Sequence, residues 1–115
     1  MLVEERKQPR RHLDRPVEAL NAFTGAVVGR FENLAAEGLM LLTAEMIEPE
    51  TVIQIRCQLP SMTGNLLPFE FGVQVLWSRA HESGTGWRCG CRVIDIAPEL
   101  GELLALWSED EPVRR

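Results

Sequence analysis

The residues best able to do chemistry in this chain sit near its start, in Glu5-Arg6-Lys7-Gln8-Pro9-Arg10-Arg11, where four of seven side chains are cationic. Arginine presents a planar fork that matches phosphate two bonds at a time, and its flat guanidinium also stacks on aromatic rings. Pro9 fixes the backbone between Arg6 and Arg10. Two arginines held on either side of a stiff turn can grip a ligand that is both anionic and aromatic, such as a nucleotide. The plain alternative is a solvated N-terminal tail, since the first residues of most domains are loose unless something ties them down.

A second segment bears on that choice. Glu32-Asn33-Leu34-Ala35-Ala36-Glu37-Gly38 carries an amide that both donates and accepts, and a glycine that lets a backbone or a ligand approach closely. Taken alone, a turn with Asn and Gly is commonplace.

Other chemistries lack their residues. His12 and His81 have no metal-pair spacing and read as surface residues. Cys89-Gly90-Cys91 would place two thiols on one strand face, but with only Cys57 besides, no four-ligand zinc set is complete, and core packing is the better reading. No phosphate-binding glycine loop, nucleophile elbow or paired-carboxylate pattern occurs, so the sequence does not read as an enzyme, and no metal or cofactor is expected.

The elements that must position these residues follow from length and pattern. The chain has 115 residues, 45% hydrophobic and 25% charged, enough for one domain with an ordinary core. Its formal charge of −5 is uneven: residues 1–15 hold Arg6, Lys7, Arg10, Arg11 and Arg15 against Glu4, Glu5 and Asp14, a net +2 that leaves −7 on the rest. An acidic body with one short basic strip argues against binding a nucleic acid polymer and suits a small anionic ligand. No apolar run is long enough to span a bilayer, no signal-peptide core precedes the domain, and three cysteines are an odd number, which together point to reduced thiols and the cytoplasm.

Pattern and turn residues predict strands at Val17 to Ala22, Ala26 to Glu32, Thr51 to Leu59, a long strand through Phe69, Phe71, Val73, Val75 and Trp77, and Trp87 to Ile96. Leu39 to Leu42, a run that periodicity cannot separate from a stub of helix, reads as a sixth from its brevity and the flanking Gly38. Leu100, Leu103, Leu104 and Trp107 fall at i, i+3, i+4 and i+7, with Pro98 at the first helical position, which predicts one amphipathic helix. Trp77, Trp87 and Trp107 all fall on predicted inward faces. Short antiparallel strands with exposed edges are expected to close into a small barrel, with the helix plugging an end or covering a face. The expected division is an N-terminal arm over 1–15, a barrel with its helix over 16–108 and a charged tail over 109–115.

Arg6-x-x-x-Arg10 followed by Asn33-x-Ala35-x-x-Gly38 resembles the paired signature of the PilZ domain, an Arg-x-x-x-Arg segment followed by Asp/Asn-x-Ser-x-x-Gly. Leu59-Pro60, Val75-Leu76-Trp77, Cys89-Gly90-Cys91-Arg92-Val93 and the closing helix fit the same pattern, from Glu5 to Ser108. The resemblance implies an all-β-dominated fold, a six-stranded antiparallel split barrel with a C-terminal α-helix. It also implies a receptor for the bacterial second messenger cyclic di-GMP that signals to a separate effector protein. Arg6 and Arg10 would wrap the ligand from the arm, Lys7 and Arg11 would add positive potential, and Asn33, Ala35 and Gly38 would line the barrel side. One position departs from the family: Ala35 stands where the pattern has serine. If the serine hydroxyl makes one hydrogen bond to the ligand, its loss costs about 0.5–1.5 kcal/mol. That departure keeps a second reading open, a barrel that has given up the nucleotide and serves only as a protein-interaction module.

Overall fold

The structure, a computed structural model, describes residues 11–12, 16–61 and 63–109. Seven strands precede one helix: β1 (Arg11–His12), β2 (Glu18–Asn21), β3 (Val27–Leu34), β4 (Gly38–Thr43), β5 (Val52–Pro60), β6 (Leu66–Ala80), β7 (Trp87–Ile96) and α1 (Pro98–Glu109). Every pairing is antiparallel. The order β3-β2-β5-β6-β7-β4 returns to β3 through the β3–β4 pair, so six strands close into a barrel and β1 adds a short rung to β3. Closure removes the open edges that such strands would otherwise expose.

The alternation along each strand fills the inside. Phe69, Phe71, Val73 and Val75 of β6, Ile55 and Leu59 of β5, and Cys89 and Cys91 of β7 all lie in the core. Because strands alternate in direction, the barrel has two distinct ends. The connections 22–26, 44–51 and 81–86 emerge at one, here the loop end. At the other, the arm end, lie β1, the turn 35–37, the β5–β6 connection and α1. The helix closes the arm end: Leu104 and Trp107 are buried in the core, and the Trp107 indole N–H donates to the Pro60 carbonyl at 2.8 Å.

Three local expectations differ from what is observed. The second strand runs on to Leu34, so Asn33 belongs to the barrel wall instead of a loop. Leu103 is 39% exposed, because the helix rests on Leu100, Leu104 and Trp107, a narrower stripe than the apolar spacing suggests. Trp77 faces outward. Val75 pairs with Cys91 but Trp77 pairs with Gly90, so Leu76 is an extra residue, a bulge that reverses the alternation beyond it. Ser78, opposite Cys89, accordingly points in, and its hydroxyl meets the Cys89 sulfur at 3.2 Å.

Candidate functional site

The Asn33-x-Ala35-x-x-Gly38 segment lies at the arm end, beside β1. β1 lies antiparallel along β3 with Arg11 opposite Leu34 and His12 opposite Asn33. Arg11 and His12 therefore lie beside the start of the Asn33-x-Ala35-x-x-Gly38 segment. Arg6, Lys7 and Arg10 lie outside the described residues, and Arg11 is placed by its backbone register in β1.

Asn33, Ala35 and Gly38 form one compact unit. A bulge at Glu32 shifts the β3–β4 register, so Phe31 pairs with Leu41 while Asn33 pairs with Met40 and Leu34 with Leu39. Leu34 and Leu39 both point into the core, so Asn33 and Met40 stand on the outer wall. The Ala35 N–H donates to the Gly38 carbonyl at 2.9 Å, closing the turn, and the Val93 N–H anchors it at the Glu37 carbonyl. Ala35 itself is buried.

Asn33 is the unusual member. It is 4% exposed, and its Oδ1 has no hydrogen-bond partner among the described residues. A buried acceptor left unsatisfied costs about 1–3 kcal/mol, which is why such atoms are rare and mark places where a further group belongs.

The strand registers extend the outer wall away from Asn33. Asn33, Met40, Gly90 and Trp77 form one transverse row across β3, β4, β7 and β6. Three interstrand steps make that row about 14 Å long. The Trp77 ring lies directly on Gly90, where an added Cβ would meet the indole at 2.3 Å. The Arg79 guanidinium sits over the same ring, 4.8 Å from its centre. In the neighbouring row Gly38 pairs with Arg92, whose Nε donates to Gln74 Oε1 at 3.1 Å. On the other side Arg88 grips the Glu32 carboxylate with two hydrogen bonds, Nε at 3.0 Å and Nη2 at 3.2 Å. The motif thus borders a wall that carries one flat aromatic ring and the cations Arg79 and Arg92. Sequence reasoning missed these. Arg92 is legible as an outward residue of its strand, but its place beside Gly38 needs the β4–β7 pairing, and Trp77 needs the bulge.

Two clefts occur elsewhere on the described surface. One, of about 520 Å³, lies between Arg30, Leu42, His81 and Trp87. The other, of about 540 Å³, opens where β2 and β5 splay apart and has Val17, Cys57, Arg30 and Arg56 among its lining. Neither has Asn33, Ala35 or Gly38 in its lining. Nor do the thiols supply chemistry. Cys57, Cys89 and Cys91 are free and buried, and burial pushes the thiols of Cys57 and Cys91 up to about 12, with Cys89 beside Cys91 adding to the latter shift. No cluster of three or more metal-ligating side chains, and no helix long and apolar enough to cross a membrane, occurs among the described residues.

The PilZ domain family model matches residues 4–109. The chain belongs to the PilZ domain family. Among solved structures it is similar to the Bacillus subtilis inhibitor of motility MotI/DgrA, with 13% identity, a TM-score of 0.76, and 93% of this chain covering 51% of that one. It thus spans about half the length of that protein. It is also similar to the PilZ domain of Escherichia coli YcgR, solved with c-di-GMP, with 17% identity, a TM-score of 0.63 and 92% of each chain covered. At these identities the likeness concerns the fold. No curated protein matches the sequence.

Proposed function

We propose that this PilZ domain is a cytoplasmic receptor for cyclic di-GMP that binds the nucleotide between its N-terminal arm and the outer wall of the barrel. The observation that supports the reading is the pairing of β1 with β3, with His12 opposite Asn33, whose buried Oδ1 lacks a partner among the described residues. Arg6 and Arg10 engage phosphates and the guanine O6 and N7 edge through charge-assisted, two-point hydrogen bonds. Lys7 and Arg11 raise the local positive potential. Asn33 offers its carbonyl oxygen to a guanine or arm N–H, and Gly38 leaves room for the ligand backbone. Trp77 and Arg79 give a flat surface for the second base, at the far end of the row that Asn33 begins.

In this reading residues 1–15 act as the arm, 16–108 as the barrel with its helix and 109–115 as a tail. Ordering the arm costs roughly 1–2 kcal/mol per residue in backbone entropy, so the arm settles when the ligand supplies compensating contacts. Its ordering changes the surface presented to a separate effector protein. The domain acts as a binder and not as an enzyme. Isothermal titration with cyclic di-GMP tests the proposal against Arg10→Ala: the wild type releases heat at micromolar ligand and the variant binds roughly ten- to a hundredfold more weakly. Absence of heat from the wild type, beside a responding PilZ control, overturns it.

The second reading, an interaction module without nucleotide, is favoured by one observation: Ala35 is buried and offers no hydroxyl where the family pattern has one. It predicts that Arg6→Ala and Arg10→Ala leave function in the cell intact.

A further inference from the structure

The loop end of the barrel carries a feature that nucleotide binding does not use. Phe23 sits at the tip of the β2–β3 hairpin and is 85% exposed, an unusual place for a phenyl ring. The turn that presents it is firmly built. Asn21 Oδ1 accepts from the N–H groups of Phe23 at 2.8 Å and Thr24 at 3.1 Å. The Asn21 carbonyl accepts from Gly25, the Asn21 N–H donates to Ala26, and Thr24 Oγ1 accepts from Ala26. Gly25 takes φ +79°, a conformation that favours glycine. Below the tip, the Ala22 N–H ties the turn to the Gln54 carbonyl of β5. The ring is held out in water by a frame that leaves its backbone little freedom to lose on binding. Rigid aromatic side chains of this kind are the usual anchors of protein interfaces.

The charge of the connections at the same end specifies the partner. The connections 22–26, 44–51 and 81–86 contain Glu45, Glu48, Glu50 and Glu82 and no lysine or arginine. Glu45, Glu48 and Glu50 are exposed, and so are the apolar Val27 and Met46. Glu82 is partly matched by Arg88 at 3.5 Å. An apolar anchor at an end whose connections are acidic disfavours nucleic acid and anionic lipid surfaces, and complements a protein surface of opposite charge.

We propose that the loop end is a docking surface for a protein whose apolar recess receives Phe23 and whose rim of lysine and arginine meets Glu45, Glu48 and Glu50. The surface lies at the opposite end from the arm and stands independently of the nucleotide reading.

The test uses the full chain in the cell that makes it. A photo-crosslinking amino acid is placed at position 23 and, as reference, at position 65 in the exposed β5–β6 connection. A protein captured at 23 and not at 65 is then purified and titrated against wild type, Phe23→Ala and the double variant Glu45→Lys with Glu48→Lys. The expected result is affinity roughly tenfold or more weaker for each variant, and a wild-type affinity that falls as salt rises from about 0.05 to 0.5 M. Unchanged unfolding midpoints and unchanged cyclic di-GMP titrations keep a folding defect or a failed nucleotide site from being mistaken for this result. The proposal is overturned if position 23 captures nothing that position 65 does not, if it captures only a second copy of this chain, or if the purified partner binds Phe23→Ala as tightly as wild type.

Discussion

The two ends of this barrel are built on opposite plans. At the arm end Leu34, Ala35, Leu39, Leu59, Leu104 and Trp107 are buried, and a helix covers the opening, with Leu66, Leu103 and Leu106 left outside the packing. The polar group that is out of place there is Asn33, shielded from water with an acceptor unmatched among the described residues. At the loop end the oddity is reversed. Polar groups are matched within tight turns, while the ring of Phe23 stands in solvent. One end therefore needs a polar visitor and the other an apolar one. If the two proposals hold, a ligand that brings a hydrogen-bond donor meets the first need and a protein surface the second, and the two occupants do not compete.

The contrast is broken most severely at the helix. Trp107→Ala removes a buried ring and its hydrogen bond to Pro60, and is expected to destabilise the fold by about 3–5 kcal/mol in urea denaturation. Phe23→Ala, an exposed ring at the other end, should change stability by less than about 0.5 kcal/mol. A loss of stability at position 23 comparable to that at 107 would show that the loop-end ring packs on something, and would undo the comparison.

Next in size is Arg10→Ala. A charge-assisted contact is worth about 1.5–3 kcal/mol, so cyclic di-GMP affinity should fall by roughly ten- to a hundredfold in calorimetry, with the unfolding midpoint unchanged. Ala35→Ser runs the other way and is smaller. It restores the hydroxyl of the family pattern and should tighten binding by up to about tenfold, from a contact worth about 0.5–1.5 kcal/mol. Because position 35 is buried, a serine that instead weakens binding would mean that its hydroxyl is trapped without a partner, and that the ligand does not reach this side of the turn.

Most of the fold could be read from alternation because the inside of a barrel is apolar and the outside is not. Ile55, Cys57 and Leu59 point in as their spacing demands, and so do Phe69, Phe71, Val73 and Val75. Periodicity cannot report an inserted residue. One bulge at Leu76 moves Trp77 from the expected core to the outer wall, and another at Glu32 puts Asn33 on the outside of a strand instead of in a loop. The motif residues were legible because their types and order match a family pattern. Gly90, Arg79 and Arg92 were not, since their neighbourhood with Trp77 and Gly38 exists only once β4, β6 and β7 are in register. Phe23 falls between two expected strands and drew no reading, because one phenylalanine in a connection gives no sign of whether it packs.

The smallest effect concerns the thiols, and it reports which side of the barrel wall opens first. Burial raises Cys57 and Cys91 to about 12, against 9.0 for an unburied thiol. A group whose folded pKa is raised contributes its stabilisation below the unfolded value and loses it as pH climbs towards the folded one. The fold should therefore be indifferent to these thiols at neutral pH and weaken between about pH 9 and 12, as measured by denaturation across that window. At pH 8 both should resist alkylation in the native state. Cys57 lines the cleft where β2 parts from β5, next to Val17 and Pro60, whereas Cys91 pairs with Leu39 and Val75 inside the wall. Local opening at the arm end exposes Cys57 first, so mass spectrometry of slowly alkylated protein should find label there before Cys91. If the nucleotide clamps the arm end as proposed, saturating cyclic di-GMP slows labelling of Cys57 and leaves Cys91 unchanged. Equal protection of both thiols would mean that the ligand stabilises the barrel as a whole and that the arm end does not open by itself.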